Sequence, residues 1–288
     1  MMSNGEKKDT RRILIVTAVE AERAAVLRGL GEEAAHFHVI AAGVGPAAAA
    51  AVTAATLAAG CAGGTSPAAS SAEASGQAAS ADAADESTRG AEGGSSAGAA
   101  AAASFSAAAT TATSVAAAAA ATAGGYRLVV SAGIAGGFAG RAALGSLVVA
   151  SEIIAADLGV ETPGGFASVD ELGFGSSRSG VCARSASALA AALSAAGLPV
   201  VTGPVLTVTT ATGTAATAAE HVRRVPEAAA EAMEGFGVAS AAQHFGVPVL
   251  ELRAISNAVG PRDREAWRIG DALQALEHGS AILKEVLQ

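Results

Sequence analysis

The sequence is short of the residues that build bulky cores and metal sites. Among 288 residues it has one Trp, one Tyr and seven Phe. Its positive mean hydropathy therefore reflects alanine more than large apolar side chains. The two cysteines, Cys61 and Cys182, stand far apart in sequence and form neither a disulfide framework nor a metal motif. The five histidines, His36, His38, His221, His244 and His278, show no His-x-x-x-His spacing and no pairing with cysteine, so no metal is expected. Basic residues are outnumbered, 18 Lys and Arg against 26 Asp and Glu, and the net charge of −8 argues against a nucleic-acid partner. Long apolar runs are missing too. Ile13 to Val19 is too short to span a bilayer and leads into Glu20, Glu22 and Arg23, so no membrane partner is expected. No export signal is evident, and a reducing, cytoplasmic setting is the expectation.

What the chain does have is alternation of strand and helix signals. Ile13-Leu14-Ile15-Val16 is a β-branched run followed by a helical stretch from Ala21 to Leu30. Phe37 to Ala42 reads as a second strand, and the alanine-rich run 47–59 as a helix. The stretch Leu128-Val129-Val130-Ser131-Ala132-Gly133-Ile134-Ala135-Gly136-Gly137-Phe138 reads as a buried strand running into a glycine-rich turn. A backbone with so few side chains can approach a ligand closely, and ligands of open α/β sheets gather at the carboxyl ends of strands. The pattern of this turn is not Gly-x-Gly-x-x-Gly, and no P-loop occurs, so neither a dinucleotide nor a nucleotide cofactor is indicated. Further strands are expected at 145–157, 200–209 and 247–257, and helices at 183–196, 217–225 and 264–287. In the last helix Trp267, Leu273, Leu276, Ile282, Leu283 and Val286 read as a packing stripe.

The expected class is α/β, a three-layer α/β/α arrangement around a central mixed β-sheet. Residues 1–12 read as a polar tail and 13–288 as a single domain. That domain is interrupted at about 61–125 by a segment of Ala, Ser, Gly and Thr, which buries too little apolar surface to offset the entropy of ordering.

Three polar residues stand where chemistry is possible, each with a plain alternative. Glu20 falls where a strand hands over to a helix: it is a site carboxylate, or an acid in the first turn of a helix. Glu234, beside Met233 and ahead of small residues, is a fixed acceptor for hydroxyl groups, or a solvated helix-start acid. Asn257, at the end of a strand, offers a donor and an acceptor that can read a purine edge, or it forms a turn.

The segments Ala18–Glu20, Ala132–Gly137, Met233–Glu234 and Arg253–Asn257, in this order, resemble the nucleosidases of the purine nucleoside phosphorylase/hydrolase fold. Segments 155–166 and 256–263 are most similar to the branch that releases hypoxanthine from futalosine. The resemblance implies a small-molecule nucleoside partner, no metal or organic cofactor, and a homo-oligomer. It implies that Glu20 is the water-activating base and that Glu234 holds the ribose 2′- and 3′-hydroxyls, with Met233 under the sugar. It further implies that Ala135 and Gly136 border the ribose and the attacking water, and that the backbone of Thr212 reads the base. Adenine-releasing relatives carry an Asp at the position of Asn257. An amide hydrogen-bonds a 6-oxopurine but cannot protonate N7, which favours hypoxanthine and leaves the general acid open, with Asp263 a candidate by proximity. Phosphorylases of the fold place an arginine-bearing loop near the first strand. Here Thr17 to Glu20 has none, and a carboxylate about 4 Å from phosphate is repelled by roughly 4 kcal/mol per unit charge pair.

Overall fold

The computed structural model describes residues 11–61 and 125–288. These belong to one compact unit. Most of the Ala/Ser/Gly segment expected as an insertion lies outside the described residues, as does most of the N-terminal tail.

In chain order the elements are β1 (Arg12–Thr17), α1 (Glu20–Leu30), a 3-10 turn (Gly31–His36), β2 (Phe37–Ala41), α2 (Pro46–Cys61), β3 (Tyr126–Gly137) and β4 (Leu147–Ala155). A hairpin follows, β5 (Gly159–Thr162) and β6 (Gly165–Ser168), then β7 (Arg178–Gly180), α3 (Ala183–Ala195), β8 (Val200–Thr207) and α4 (Ala215–Arg224). The chain ends with β9 (Ala230–Ala232), α5 (Gly235–His244), β10 (Val249–Ala258) and α6 (Ile269–Leu287).

The sheet is mixed, as expected. β1 pairs in parallel with β2 and β3, β3 with β10, and β4 with β8, while β10 meets β4 and β3 meets β9 antiparallel. Alternate residues of the buried strands feed two separate cores, the pattern of a sheet covered on both faces. Leu14, Val16 and Val129 join Leu57, Val238 and Ala239 of α2 and α5. Ile13, Ile15, Leu128 and Val130 join Val26, Leu193 and Leu276 of α1, α3 and α6. The result is the α/β/α layering.

Two departures position the site. First, the glycine-rich stretch is strand and not turn, because β3 continues to Gly137. Along 128–131 it bonds β1, and at Gly136 and Gly137 it bonds β9 instead. With β10–β4–β8–β9 completing the circuit, five strands close on themselves, and β3 parts from β1 just where its glycines lie. Glycine in a strand interior marks close approach. A Cβ on Gly133 would sit 2.6 Å from Glu22 Oε1, and one on Gly136 would sit 2.9 Å from Val259 Cγ2. Second, the last helix begins at Ile269 rather than 264. Trp267 therefore lies in the preceding loop, its ring under the guanidinium groups of Arg262 and Arg264 at 5.2 and 5.7 Å, and is not part of the helix stripe. Among the described residues no helix is long and apolar enough to cross a membrane, and no cluster of His, Cys, Asp or Glu could hold a metal.

Candidate active site

A cleft of about 270 Å³ opens where β3 leaves β1, at the carboxyl ends of β3 and β10. Of the residues expected to form a site, Ala135, Gly136, Thr212, Met233, Glu234 and Asn257 line it. Glu20 does not. Its carboxylate is 70 % exposed and pairs with Arg23 Nη1 at 2.7 Å. The acid that reaches the cleft is Glu22, only 3 % exposed.

The reason is helical geometry. Glu20 is the first residue of α1, and the inward stripe of that helix is Glu22, Ala25, Val26 and Leu30. Two residues turn a helix by about 200°, so Glu20 faces out when Glu22 faces in. The signal was present in the sequence: Glu22, Val26 and Leu30 follow an i, i+4, i+8 spacing. Glu22 is also the third residue of the helix, where a carboxylate folds back onto the free N–H groups of the first turn. Its Oε2 accepts from Ala18 N at 2.9 Å and Val19 N at 3.2 Å. Its Oε1 accepts from Ile134 N of β3 at 2.8 Å. Three backbone donors, two in the turn between β1 and α1 and one in β3, thus fix one carboxylate, and Gly133 leaves the room for it.

Glu234 immediately precedes α5 without its side chain bonding the helix's first turn, and it is buried. Its Oε1 accepts from Gly45 N at 3.3 Å, in the turn after β2, where Gly43 and Gly45 take φ of 90° and 94°. Its Oε2 accepts from Arg253 Nη1 at 3.2 Å. Arg253 is the hub of the buried charges. It donates Nε to Glu251 Oε1 at 2.8 Å and Nη2 to Ser131 Oγ at 3.0 Å. Burial opposes its charge, yet the carboxylates of Glu251, Glu234 and Glu22 outweigh burial and raise its pKa. Burial pushes the Glu251 carboxyl up, against the pull of Arg253. Glu251 stands against the start of α5, where a Cβ on Gly235 would lie 2.3 Å from its Oε1. Sequence reasoning left Glu251 and Arg253 without roles. Two charges at i, i+2 in an otherwise apolar strand share one face, and that is the mark of a buried pair.

Asn257 closes the far side. Its Oδ1 lies 2.8 Å from Ser256 Oγ and its Nδ2 donates to Ala258 O at 3.0 Å. Thr212 lines the cleft as expected, but with its backbone N–H turned to a protein partner. Its N–H goes to Glu231 Oε1 at 2.8 Å and its hydroxyl to Glu231 Oε2 at 2.5 Å, so its backbone donor is spent inside the protein. Glu231 itself lines the cleft, 7 % exposed, and burial raises its pKa against the two Thr212 donors. Met233 is half-buried at the cleft wall, packed against the cluster around Phe138 and Leu206. Asp263 is exposed, accepts from Glu265 N, and is not in the lining. Trp267 and Arg262 are in it.

Arranged this way, the cleft can hold one acid against a water, a second acid against hydroxyls, and an amide against a heterocycle edge. Comparisons with known proteins show what the chain resembles. Residues 99–288 match the family model described as the phosphorylase superfamily. Over 163 residues the chain is 58 % identical to a futalosine hydrolase of Streptomyces coelicolor, covering 57 % of this chain and 67 % of that protein. Over 158 residues it is 46 % identical to a futalosine hydrolase of Acidothermus cellulolyticus, covering 55 % and 64 %. The chain thus matches about two thirds of the length of these relatives. Among solved structures it is similar to a 5′-methylthioadenosine/S-adenosylhomocysteine nucleosidase of Colwellia psychrerythraea in complex with adenine, with a TM-score of 0.63, 16 % identity and 96 % of both chains covered. It is similar also to the futalosine hydrolase of Helicobacter pylori, with a TM-score of 0.62, 15 % identity and 96 % and 97 % covered. At these identities the structures speak to the fold alone.

Proposed function

Because the chain belongs to the phosphorylase superfamily, we propose that it is an N-glycosidase that hydrolyses futalosine to hypoxanthine and dehypoxanthinylfutalosine, a step of menaquinone biosynthesis. The observation that carries this reading is the pair of buried carboxylates, Glu22 and Glu234, opening on one cleft with Asn257. The likeness to two futalosine hydrolases supports the choice of substrate.

In this mechanism Glu22 takes a proton from water as the water oxygen bonds to C1′. The C1′–N9 bond breaks and its electron pair leaves with the purine. Charge builds on the sugar ring at the transition state, so contacts that strengthen at that moment accelerate the step. Glu234 accepts hydrogen bonds from the ribose 2′- and 3′-hydroxyls, and Arg253 holds its carboxylate in place. Met233 packs under the sugar, and Ala135 and Gly136 let the ribose lie close to β3. The amide of Asn257 donates to the departing 6-oxopurine, which draws its proton from solvent. Hydrolysis is favoured over phosphorolysis, since Glu22 stands where an anion would have to enter. The nearby Arg23 is engaged outward, by Glu20 and by Val39 O. The reading includes a homo-oligomer working in the cytoplasm.

A second reading is a methylthioadenosine or adenosylhomocysteine nucleosidase, favoured by the likeness to such an enzyme and opposed by Asn257. Chromatography of the bases released from futalosine, inosine and methylthioadenosine, in phosphate-free buffer, separates the two. Hypoxanthine from futalosine is expected. Adenine from methylthioadenosine, with futalosine untouched, would put the second reading in its place.

A further inference from the structure

Glu231 has no part in the mechanism above, yet it is a buried carboxylate in the wall of the same cleft. Such a group is costly to keep without a cation. Its bonded partners are the N–H and O–H of Thr212. The nearest basic group is His221, with Nε2 3.9 Å from Glu231 Oε2. The other ring nitrogen, Nδ1, lies 2.9 Å from Arg224 Nη2. A guanidinium only donates, so Nδ1 must accept and the ring proton sits on Nε2. Burial and the charge of Arg224 both lower the pKa of His221. Glu231 is therefore held by neutral donors at its back and keeps lone pairs for something in the cleft.

Strand register says where that something lies. Glu231 of β9 is the partner of Gly136 on β3, and Gly136 is the partner of Asn257 on β10. The three share one rung of the sheet. A Cβ on Gly136 would come within 3.2 Å of Asn257 Nδ2, so the missing side chain leaves an open slot beside the amide. Residues on one rung project to the same face. Glu231 and Asn257 thus flank a bare glycine, an acceptor on one side and an amide on the other.

Building on the futalosine reading, the geometry points to Glu231 as the residue that selects a 6-oxopurine, its carboxylate accepting the N1–H of the base. A 6-oxopurine presents N1–H as donor and O6 as acceptor. A 6-aminopurine presents N1 as acceptor and the amino group as donor. An ionised carboxylate only accepts, so it pairs with the first and faces the bare lone pair of the second. Sites that leave buried polar groups unmatched reject the wrong ligand strongly. The role of Thr212 is then to position Glu231, which accounts for its spent backbone donor.

The test is the ratio of kcat/KM values for futalosine and its 6-amino counterpart, measured for the wild-type protein and for Glu231→Gln. Gln keeps the shape and adds an N–H₂ that can donate to N1 of a 6-aminopurine. The 6-oxo over 6-amino ratio should fall by about 10- to 100-fold, the size of one charge-assisted hydrogen bond. Equal loss on both substrates, with the ratio unchanged, would overturn the assignment and leave Glu231 a structural residue. Should the variant fail to fold, calorimetric binding of hypoxanthine and 1-methylhypoxanthine to the wild-type protein decides. The methylated base lacks the N1–H and should bind at least about 10-fold more weakly, and equal affinity would refute the proposal. The two readings fail separately. If the wild-type protein leaves futalosine intact, the proposed substrate falls and the calorimetric comparison still judges Glu231. If futalosine is cleaved with an unchanged ratio, only Glu231 falls.

Discussion

Replacing Arg253 by Met probes the charges beneath the cleft. The Arg253 side chain is 1 % exposed and bonds the buried carboxylates of Glu251 and Glu234. Met fills a similar volume, so the loss is electrostatic and not a cavity. Removing one partner of a buried ion pair strands the other, which costs about 3–5 kcal/mol. For a folded body of this size that lowers Tm by about 6–20 °C, at roughly 2–4 °C per kcal/mol. Glu251 carries most of the cost, because among the described residues its Oε2 has no hydrogen-bond partner and its Oε1 loses Arg253 Nε. The double variant Arg253→Met with Glu251→Leu removes the stranded acid and should recover most of the lost stability. Activity should stay low in both variants, since Glu234 keeps only the 3.3 Å contact from Gly45 N. Urea denaturation with kinetics on each variant supplies the assay. A single variant within about 1 kcal/mol of wild type would refute the reasoning, since the loss expected from a stranded buried charge is far larger. So would a double variant no more stable than the single.

Two further outcomes follow from the same geometry. Gly133→Ala places a Cβ 2.6 Å from Glu22 Oε1 and 2.9 Å from Arg253 Nη1. The carboxylate must shift, and a displacement of about 1 Å at a reacting group costs on the order of 10²-fold in rate, which steady-state kinetics would read. In the loop before β7, Asp170 accepts from the hydroxyl and N–H of Ser177 and from Ser176 Oγ, which hold its carboxyl down from the ordinary 3.8 to about 2. A folded pKa below the unfolded one adds stability above the unfolded value and loses it as pH falls toward the folded value. Asp170→Asn should therefore be less stable than wild type at neutral pH, with the gap narrowing from about pH 4 downward. A gap independent of pH would contradict this.

Much of the fold was legible because the strands say what they are. Runs such as Ile13 to Val16 and Leu128 to Val130 are unbrokenly apolar and mostly β-branched, and each supplies both cores. The glycines of β3 misled in one respect. They signal close approach equally in a turn and in a strand, and only the partners, Glu22 and Val259, show which applies. Six residues singled out by short motifs line one cleft, whereas Glu20 lies outside it and Glu22, two positions on, lines it. Phase along α1 would have separated Glu22 from Glu20, because only Glu22 shares a face with Val26 and Leu30. Trp267 was hidden for a different reason. Helical spacing continued backwards through the residues of the loop, and nothing local announced that α6 starts at Ile269. The role of Glu231 was invisible in sequence, since it depends on β9 lying beside Gly136.

In the proposed mechanism Glu22, and not its exposed neighbour, activates the water that cleaves the glycosidic bond. The most direct test is the rate of hypoxanthine release from futalosine, without phosphate, for wild type, Glu20→Gln and Glu22→Gln. Glu20→Gln should match wild type, and Glu22→Gln should lose about 10²–10⁴-fold in kcat while still binding ligand. An active Glu22→Gln beside an inactive Glu20→Gln would contradict it.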